Sequence, residues 1–333
     1  MRKPIPDRNP LDLFPPVIEP RLHRYFEAAQ DHPFRPRATG VDLLNAWWLS
    51  EMALLAYAGP DFVERELRRA GLELAGPLLD VRGTQAFAAL GEGFAVVAFR
   101  GTEVFLPWRD APSLLAKIAE DYLTDIRIRL VPARQPARGR VHRGFRNALD
   151  AIWESLSELV ARLRHEDRGR AIWMTGHSMG GALAILAAAR LPDIQGVYAF
   201  GSPQVGDADF RAALPVRPVR FVHGSDVVTR VPVFALNLPP RLYRQGLLPR
   251  LEFLGSYRPV GDTVAFDRDG RLVAAADPEG ALALLDAELR RLGISLKDWA
   301  RTQPVGDLID HAPIFYAVHL WNLYEESLVH AAA

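Results

Sequence analysis

The chain has 333 residues, 49% of them hydrophobic, with 40 Lys plus Arg against 40 Asp plus Glu. The apolar share supports a sizeable core and excludes wholesale disorder, and the balanced charge leaves no electrostatic footprint for nucleic acid or an anionic membrane. Cysteine is absent, which excludes disulfides, thiolate metal sites and a cysteine nucleophile and leans toward a reducing compartment.

Residues 1–38 carry eight prolines and read as an irregular arm wrapping the body. No apolar stretch of about 7–15 residues follows Arg2 and Lys3, so a leader is not expected and a cytoplasmic location is the expectation. No apolar run of about 18 residues predicts a transmembrane segment. Residues 41–58 read as an apolar helix ended by Gly59-Pro60. Phe94 to Phe99 (FAVVAF) is a continuous apolar run, as expected of a central strand covered on both faces. A helix over 145–164 and a strand over 171–175 follow, then a helix over 181–190. Strands are predicted at 196–200 and 219–223, a proline-rich insertion over 231–259 and further helices over 278–300. The alternation predicts one α/β domain from residue 39 onward. Its sheet is mostly parallel with helices on both faces, and insertions fall at 103–124 and 237–300.

Between the strand at 171–175 and the helix after it stands TGHSMGGA, residues 175–182. This is G-x-S-x-G at a strand-to-helix turn, where a serine is held in a strained backbone with its hydroxyl raised above the sheet. Ser178 is therefore the candidate nucleophile; the plainer reading is a glycine-rich turn whose serine caps a helix. Gly176 to Gly181 also satisfies G-x-x-x-x-G, but Ala182 and Leu183 follow where a phosphate loop needs Lys and Ser or Thr. A serine hydroxyl needs a base within hydrogen-bond reach, and that base an orienting acid. Of the late histidines, His319 lies in an apolar helical pattern and His330 is three residues from the last residue of the sequence. His311, in a loop before that helix, is the candidate base. Asp226 follows strand 219–223 and is the candidate acid; Asp207 looks more like a helix N-cap. Oxyanion donors are expected from the Met179 N–H and from Thr102, which follows strand 94–99, although Gly101-Thr102 also fits an ordinary turn.

With those residues placed, the chain resembles the fungal-type (class 3) triacylglycerol lipases of the α/β-hydrolase fold. The matching motifs run in order: AYA at 56–58, AFRGT at 98–102, VHRGF at 141–145, TGHSMGGALA at 175–184 and FGSPQVGD at 200–207. HGSDVVTRVP at 223–232, GSYRPVGDTVAFDRDG at 255–270 and DHAPIFY at 310–316 follow. The resemblance implies a Ser178, Asp226 and His311 triad, an oxyanion hole at Thr102 and Met179, and carboxylic-ester hydrolysis through an acyl-enzyme. A lipase acting on acylglycerols leads. Phospholipase A1, short-chain esterase and acyltransferase chemistry are alternatives, and a catalytically silent lipid-binding or scaffold protein is the competing class. The chain departs from the family pattern in its long segment 103–124, which reads equally as a lid or as a surface helix packed on the body.

No cofactor and no metal are expected. Asp267-Arg268-Asp269-Gly270 is a poor calcium loop, because its position 6 is Leu272 and its position 12 is Pro278; a hairpin turn fits better. Arg134, Arg138, Arg140 and Arg143 read as a solvated loop, and His142 and His177 as structural hydrogen-bonding residues. The expected partner is a lipid or other ester substrate, at a lipid–water interface if 103–124 is a lid.

Overall fold

The computed structural model describes residues 2–8, 13, 23–101, 129–230, 257–273 and 309–331. Thr102, the segment 103–124, most of the 231–259 stretch and residues 278–300 lie outside the described residues. In chain order the elements begin with helices α1 (Leu43–Leu55) and α2 (Pro60–Arg69) and strands β1 (Glu73–Leu74), β2 (Leu79–Val81), β3 (Thr84–Gly91) and β4 (Phe94–Phe99). Strands β5 (Leu130–Pro132) and β6 (Arg140–His142), helix α3 (Arg143–Glu166), strand β7 (Ala171–His177), helix α4 (Met179–Arg190) and strand β8 (Ile194–Phe200) follow. Then come strand β9 (Gly206–Asp207), helix α5 (Ala208–Ala212), strands β10 (Val219–His223), β11 (Tyr257–Arg258), β12 (Asp262–Phe266) and β13 (Leu272–Val273), and helix α6 (Pro313–Ala331).

Among the described residues the main sheet runs β1-β3-β4-β7-β8-β10-β12-β13, with β2 also on β3. From β4 to β12 every pairing is parallel. Strands of this kind are covered on both faces, and all six residues of β4 are buried. Val96, Ala98, Trp173, Tyr198, Phe200 and Phe221 face one core, shared with α1 and α6. Their neighbours Val97, Phe99, Ile172, Met174, Val197 and Ala199 face the other, against α3 and α4. Helix α1 is sandwiched between the sheet and α6 and is buried from Leu44 through Leu55.

Two stretches differ from the sequence reading. Gly59-Pro60 stops one helix and also starts another. Gly59 is the N-cap of α2 and Pro60 its first residue, where the missing N–H is harmless and the fixed φ suits a helix. Residues 257–273, read as part of an insertion, carry strands of both sheets: β12 pairs in parallel with β10, and β11 pairs with β9. A second, antiparallel sheet, β11-β9-β6-β5, is built of strands of two or three residues, too short for a period to register. Asp267–Gly270 forms the hairpin turn between β12 and β13. Among the described residues no helix is long and apolar enough to cross a membrane.

The junction of β4 and α4 is tight. A Cβ on Gly180 would stand 2.2 Å from the Phe99 carbonyl oxygen, backbone against backbone, with no side chain able to yield. We expect Gly180→Ala to cost about 1–3 kcal/mol and to lower Tm by roughly 3–10 °C. A thermal melt matching the wild type would show that α4 does not sit this close.

Candidate active site

β7 ends at His177 and α4 begins at Met179, so Ser178 is the whole turn between them. Its backbone has φ 57° and ψ −129°, a region non-glycine residues occupy only under constraint from their surroundings. The constraint is visible: Ser178 N–H donates to the Phe200 carbonyl at 2.9 Å, and the Ser178 carbonyl accepts from Gly181 N–H at 3.1 Å. The Ser178 side chain makes no helix-capping hydrogen bond, which argues against the plain capping reading. Met179 is the first residue of α4, so its backbone N–H lies in the helix's first turn, directly after Ser178.

Asp226 follows β10 and is fully buried; His311 precedes α6 and is 6% exposed. The two are brought together: His311 Nδ1 lies 2.9 and 3.0 Å from the two Asp226 carboxylate oxygens. A carboxylate only accepts, so Nδ1 carries the proton and Nε2 is left with its lone pair. Asp226 also accepts the Tyr316 hydroxyl at 2.6 Å and the Val228 N–H at 3.0 Å. The Tyr316 oxygen in turn accepts the His223 N–H at 3.3 Å.

Gly201 links this pair to the serine. It follows Phe200, the residue that holds Ser178 N–H. At φ +57°, a Cβ on it would lie 2.9 Å from Asp226 Oδ2 and 3.0 Å from the His311 ring. Asp226 and His311 thus meet beside Gly201, which follows β8, and Ser178 stands at the carboxyl end of the neighbouring β7. Arg220 braces the far side, donating to the carbonyls of Ser202 at 2.8 Å and Thr229 at 3.1 Å. Burial pulls its pKa down to about 10.

His177 holds His311 from below. Its Nε2 lies 2.7 Å from the His311 carbonyl and its Nδ1 2.8 Å from the Tyr57 hydroxyl. Facing a carbonyl, Nε2 must donate, so Nδ1 accepts from Tyr57 in the neutral ring. Burial pushes the His177 pKa well below its usual value, with the neighbouring His311 ring acting the same way and the hydrogen bond to the carbonyl opposing. His142 Nδ1 accepts the Phe145 N–H and caps α3. Asp207 accepts the Phe210 N–H and caps α5, and His319 packs beside His223 and Phe315. Thr102 lies outside the described residues; Gly101 before it sits so close to the Tyr57 hydroxyl that a Cβ would reach 2.1 Å. Tyr57, Tyr316 and Arg220 carry no local sequence signal of a site role, although AYA and DHAPIFY contain the two tyrosines.

Residues 96–236 match the family model of the class 3 lipases. Among curated proteins the chain is 30% identical over 220 residues to phospholipase A1-II 5 of Oryza sativa subsp. japonica, covering 56% of this chain and 41% of that one. It is 34% identical over 98 residues to the secreted mono- and diacylglycerol lipase 1 of Fusarium solani, covering 28% of this chain and 29% of that one. The chain thus spans less than half the length of these relatives. Among solved structures, a Rhizomucor miehei triacylglyceride lipase superposes with a TM-score of 0.51 at 18% identity, over 75% of this chain and 94% of that one. That likeness establishes the α/β-hydrolase fold. Residues 96–236 thus carry the match to the class 3 lipases within an α/β-hydrolase fold.

Proposed function

We propose that the chain is a serine carboxylic-ester hydrolase acting on acylglycerols, with Ser178, Asp226 and His311 as its triad. The observation that carries this reading is the seating of His311 Nδ1 on both Asp226 oxygens beside a serine held at φ 57°. His311 Nε2 takes the Ser178 proton as Oγ attacks the ester carbonyl carbon. The carbonyl oxygen becomes an oxyanion, which accepts from the Met179 N–H and, as the family pattern implies, from Thr102. The tetrahedral species collapses, the C–O bond to the alcohol breaks, and His311 returns the proton to the departing oxygen. Water then repeats the sequence on the acyl-serine, releasing the acid and free Ser178.

A second reading, phospholipase A1 activity, has support from the plant phospholipase A1 relatives. Purified protein assayed on p-nitrophenyl esters from acetate to palmitate, then on diacylglycerol and phosphatidylcholine, separates the two. A fluorophosphonate is expected to label wild type at Ser178. Ser178→Ala is expected to lose labelling and to retain no more than about 10⁻⁴ of wild-type turnover. No turnover on any of these esters together with no labelling of the wild type would leave the silent lipid-binding reading in its place.

A further inference from the structure

Asp310, one residue before His311, is fully buried yet takes no part in the chemistry above. Its carboxylate lies in a recess formed by the turn that leaves β10. The Ser225 N–H donates to it at 2.9 Å, and a Cβ on Gly224 would come within 2.6 Å of it. Arg268, from the β12–β13 hairpin, donates to both its oxygens at 2.9 and 3.2 Å. The His223 ring nitrogen Nδ1 holds the Asp310 carbonyl at 2.9 Å. The last partner comes from the far end of the sequence: the Arg8 guanidinium donates to Asp310 Oδ1 and stacks 5.3 Å from the centroid of the Phe315 ring.

Arg8 reaches that point because residues 2–8 lie as a strap along α6. Arg2 pairs with Glu326 at 2.8 Å. The Lys3 backbone exchanges two hydrogen bonds with the Asn322 side chain at 2.7 and 2.9 Å. The Lys3 ammonium meets buried Glu51 at 3.3 Å and lies over the Trp47 and Trp321 rings. Six extended residues span about 20 Å, which matches the stretch of α6 between Glu326 and Pro313, about 20 Å, so the strap runs beside the helix back to the loop that holds Asp310. Beyond it, Leu13 is buried against Leu54, Ile309 and Ala312.

We infer that Arg8, carried to Asp310 at the end of the 2–8 strap, is a positioning residue for His311, the proposed catalytic base. The inference rests on the hydrolase reading above. Asp310 is bonded to the same turn that carries Asp226 and is covalently joined to His311. A carboxylate gripped from Ser225, Arg268 and Arg8 therefore fixes the distance between acid and base. Burial alone raises the Asp310 pKa, but the hydrogen bonds from Arg8, Ser225 and Arg268 outweigh it and hold the carboxylate ionised. Without Arg8 the loop keeps two of its three carboxylate anchors, and His311 gains freedom to leave the geometry in which Nε2 can take the serine proton.

The test is Arg8→Ala, Arg8→Lys and Lys3→Ala in the full chain, assayed with p-nitrophenyl butyrate and a fluorophosphonate. Arg8→Ala is expected to lower kcat about tenfold, corresponding to about 1.4 kcal/mol, with KM unchanged within about twofold. The rate of Ser178 labelling should fall by the same factor. Arg8→Lys, which keeps one charged donor, should recover part of both. Lys3→Ala, which loosens the strap at its other end, should lower Tm and leave kcat intact. Wild-type kcat and labelling in Arg8→Ala would overturn the inference, as would equal losses in Lys3→Ala and Arg8→Ala following their Tm values. An inert wild type would sink the hydrolase reading and this inference together, whereas an active wild type with an indifferent Arg8→Ala sinks the strap alone.

Discussion

Asp226→Asn is expected to lower kcat for ester hydrolysis on the order of 10⁴-fold, with KM nearly unchanged. The amide is the same size, and with its oxygen in the Oδ1 place it still accepts from Val228 N–H at 3.0 Å, while its NH₂ takes the Oδ2 place that meets the Tyr316 hydroxyl at 2.6 Å. Its NH₂ then faces His311 Nδ1, which must accept instead of donate, and the ring proton moves to Nε2. A base already protonated at the atom that must take the serine proton cannot act, so fluorophosphonate labelling should slow in parallel. Tyr316→Phe makes an instructive comparison. It removes one donor to a buried carboxylate, worth about 1.5–3 kcal/mol, while leaving the His311 tautomer alone, so roughly a 10–100-fold loss is expected. Steady-state kinetics on the three proteins settle the ranking. More than about a tenth of wild-type kcat in Asp226→Asn would remove Asp226 from the role proposed for it.

Acid is expected to destabilise the fold well before ordinary carboxylates protonate. Burial pulls the His142 pKa down to about 3. Burial, aided by the charge of His223, does the same to His319. Both rings are therefore neutral in the folded chain and titrate near 6.5 in the unfolded one. As pH falls below about 6.5 the unfolded state binds protons that the folded state refuses, so stability declines down to about pH 3. Each ring costs about 2 kcal/mol at about pH 5, or about 4 kcal/mol for the pair. Glu51 adds a second, lower step. Its burial opposes ionisation, but the charges of His23 and Lys3 and the hydrogen bonds from His23 and Trp47 bring it down to about 2. That contribution is intact above about pH 4.5 and is lost as pH falls toward 2. Urea unfolding at about pH 7.5 and about pH 5 measures the first step. His319→Asn, which cannot take up a proton, should narrow the difference between the two pH values by about 2 kcal/mol whatever its own cost. An undiminished difference would mean that His319 is not held neutral.

The parallel sheet was legible in the sequence because each buried strand is a compact apolar run: FAVVAF and VRFVH fall on β4 and β10 with their ends in place. The elbow was legible because a tight turn needs glycine at fixed offsets from the serine. Asp226 and His311 could be chosen because each stands just outside a strongly periodic element. What escaped is of a different kind. Tyr316 sits within an apolar stretch, where it reads as core, and only the third dimension turns its hydroxyl onto Asp226. Tyr57 reaches His177 from 120 residues away, and no local pattern encodes that. Helix α2 is hidden in the sequence because a Gly-Pro pair reads as a stop, although proline is equally suited to a first helical residue. The strap on Asp310 joins positions 302 residues apart, and Arg8 in a proline-rich stretch carries no mark of it.

The placement of α6 has a consequence for synthesis. It is the last described element, yet it packs along α1, and its Asn322 holds Lys3 across 319 residues of sequence. A ribosome releases the chain from the N-terminal end at about 5–20 residues per second. Ser178 and its elbow therefore emerge long before His311 exists to activate the hydroxyl. Closure of so distant a contact is slow and comes late. On the hydrolase reading proposed above, the serine therefore waits for its base, and competence to cleave an ester arrives only when residues 310–322 have folded against residues 3–8.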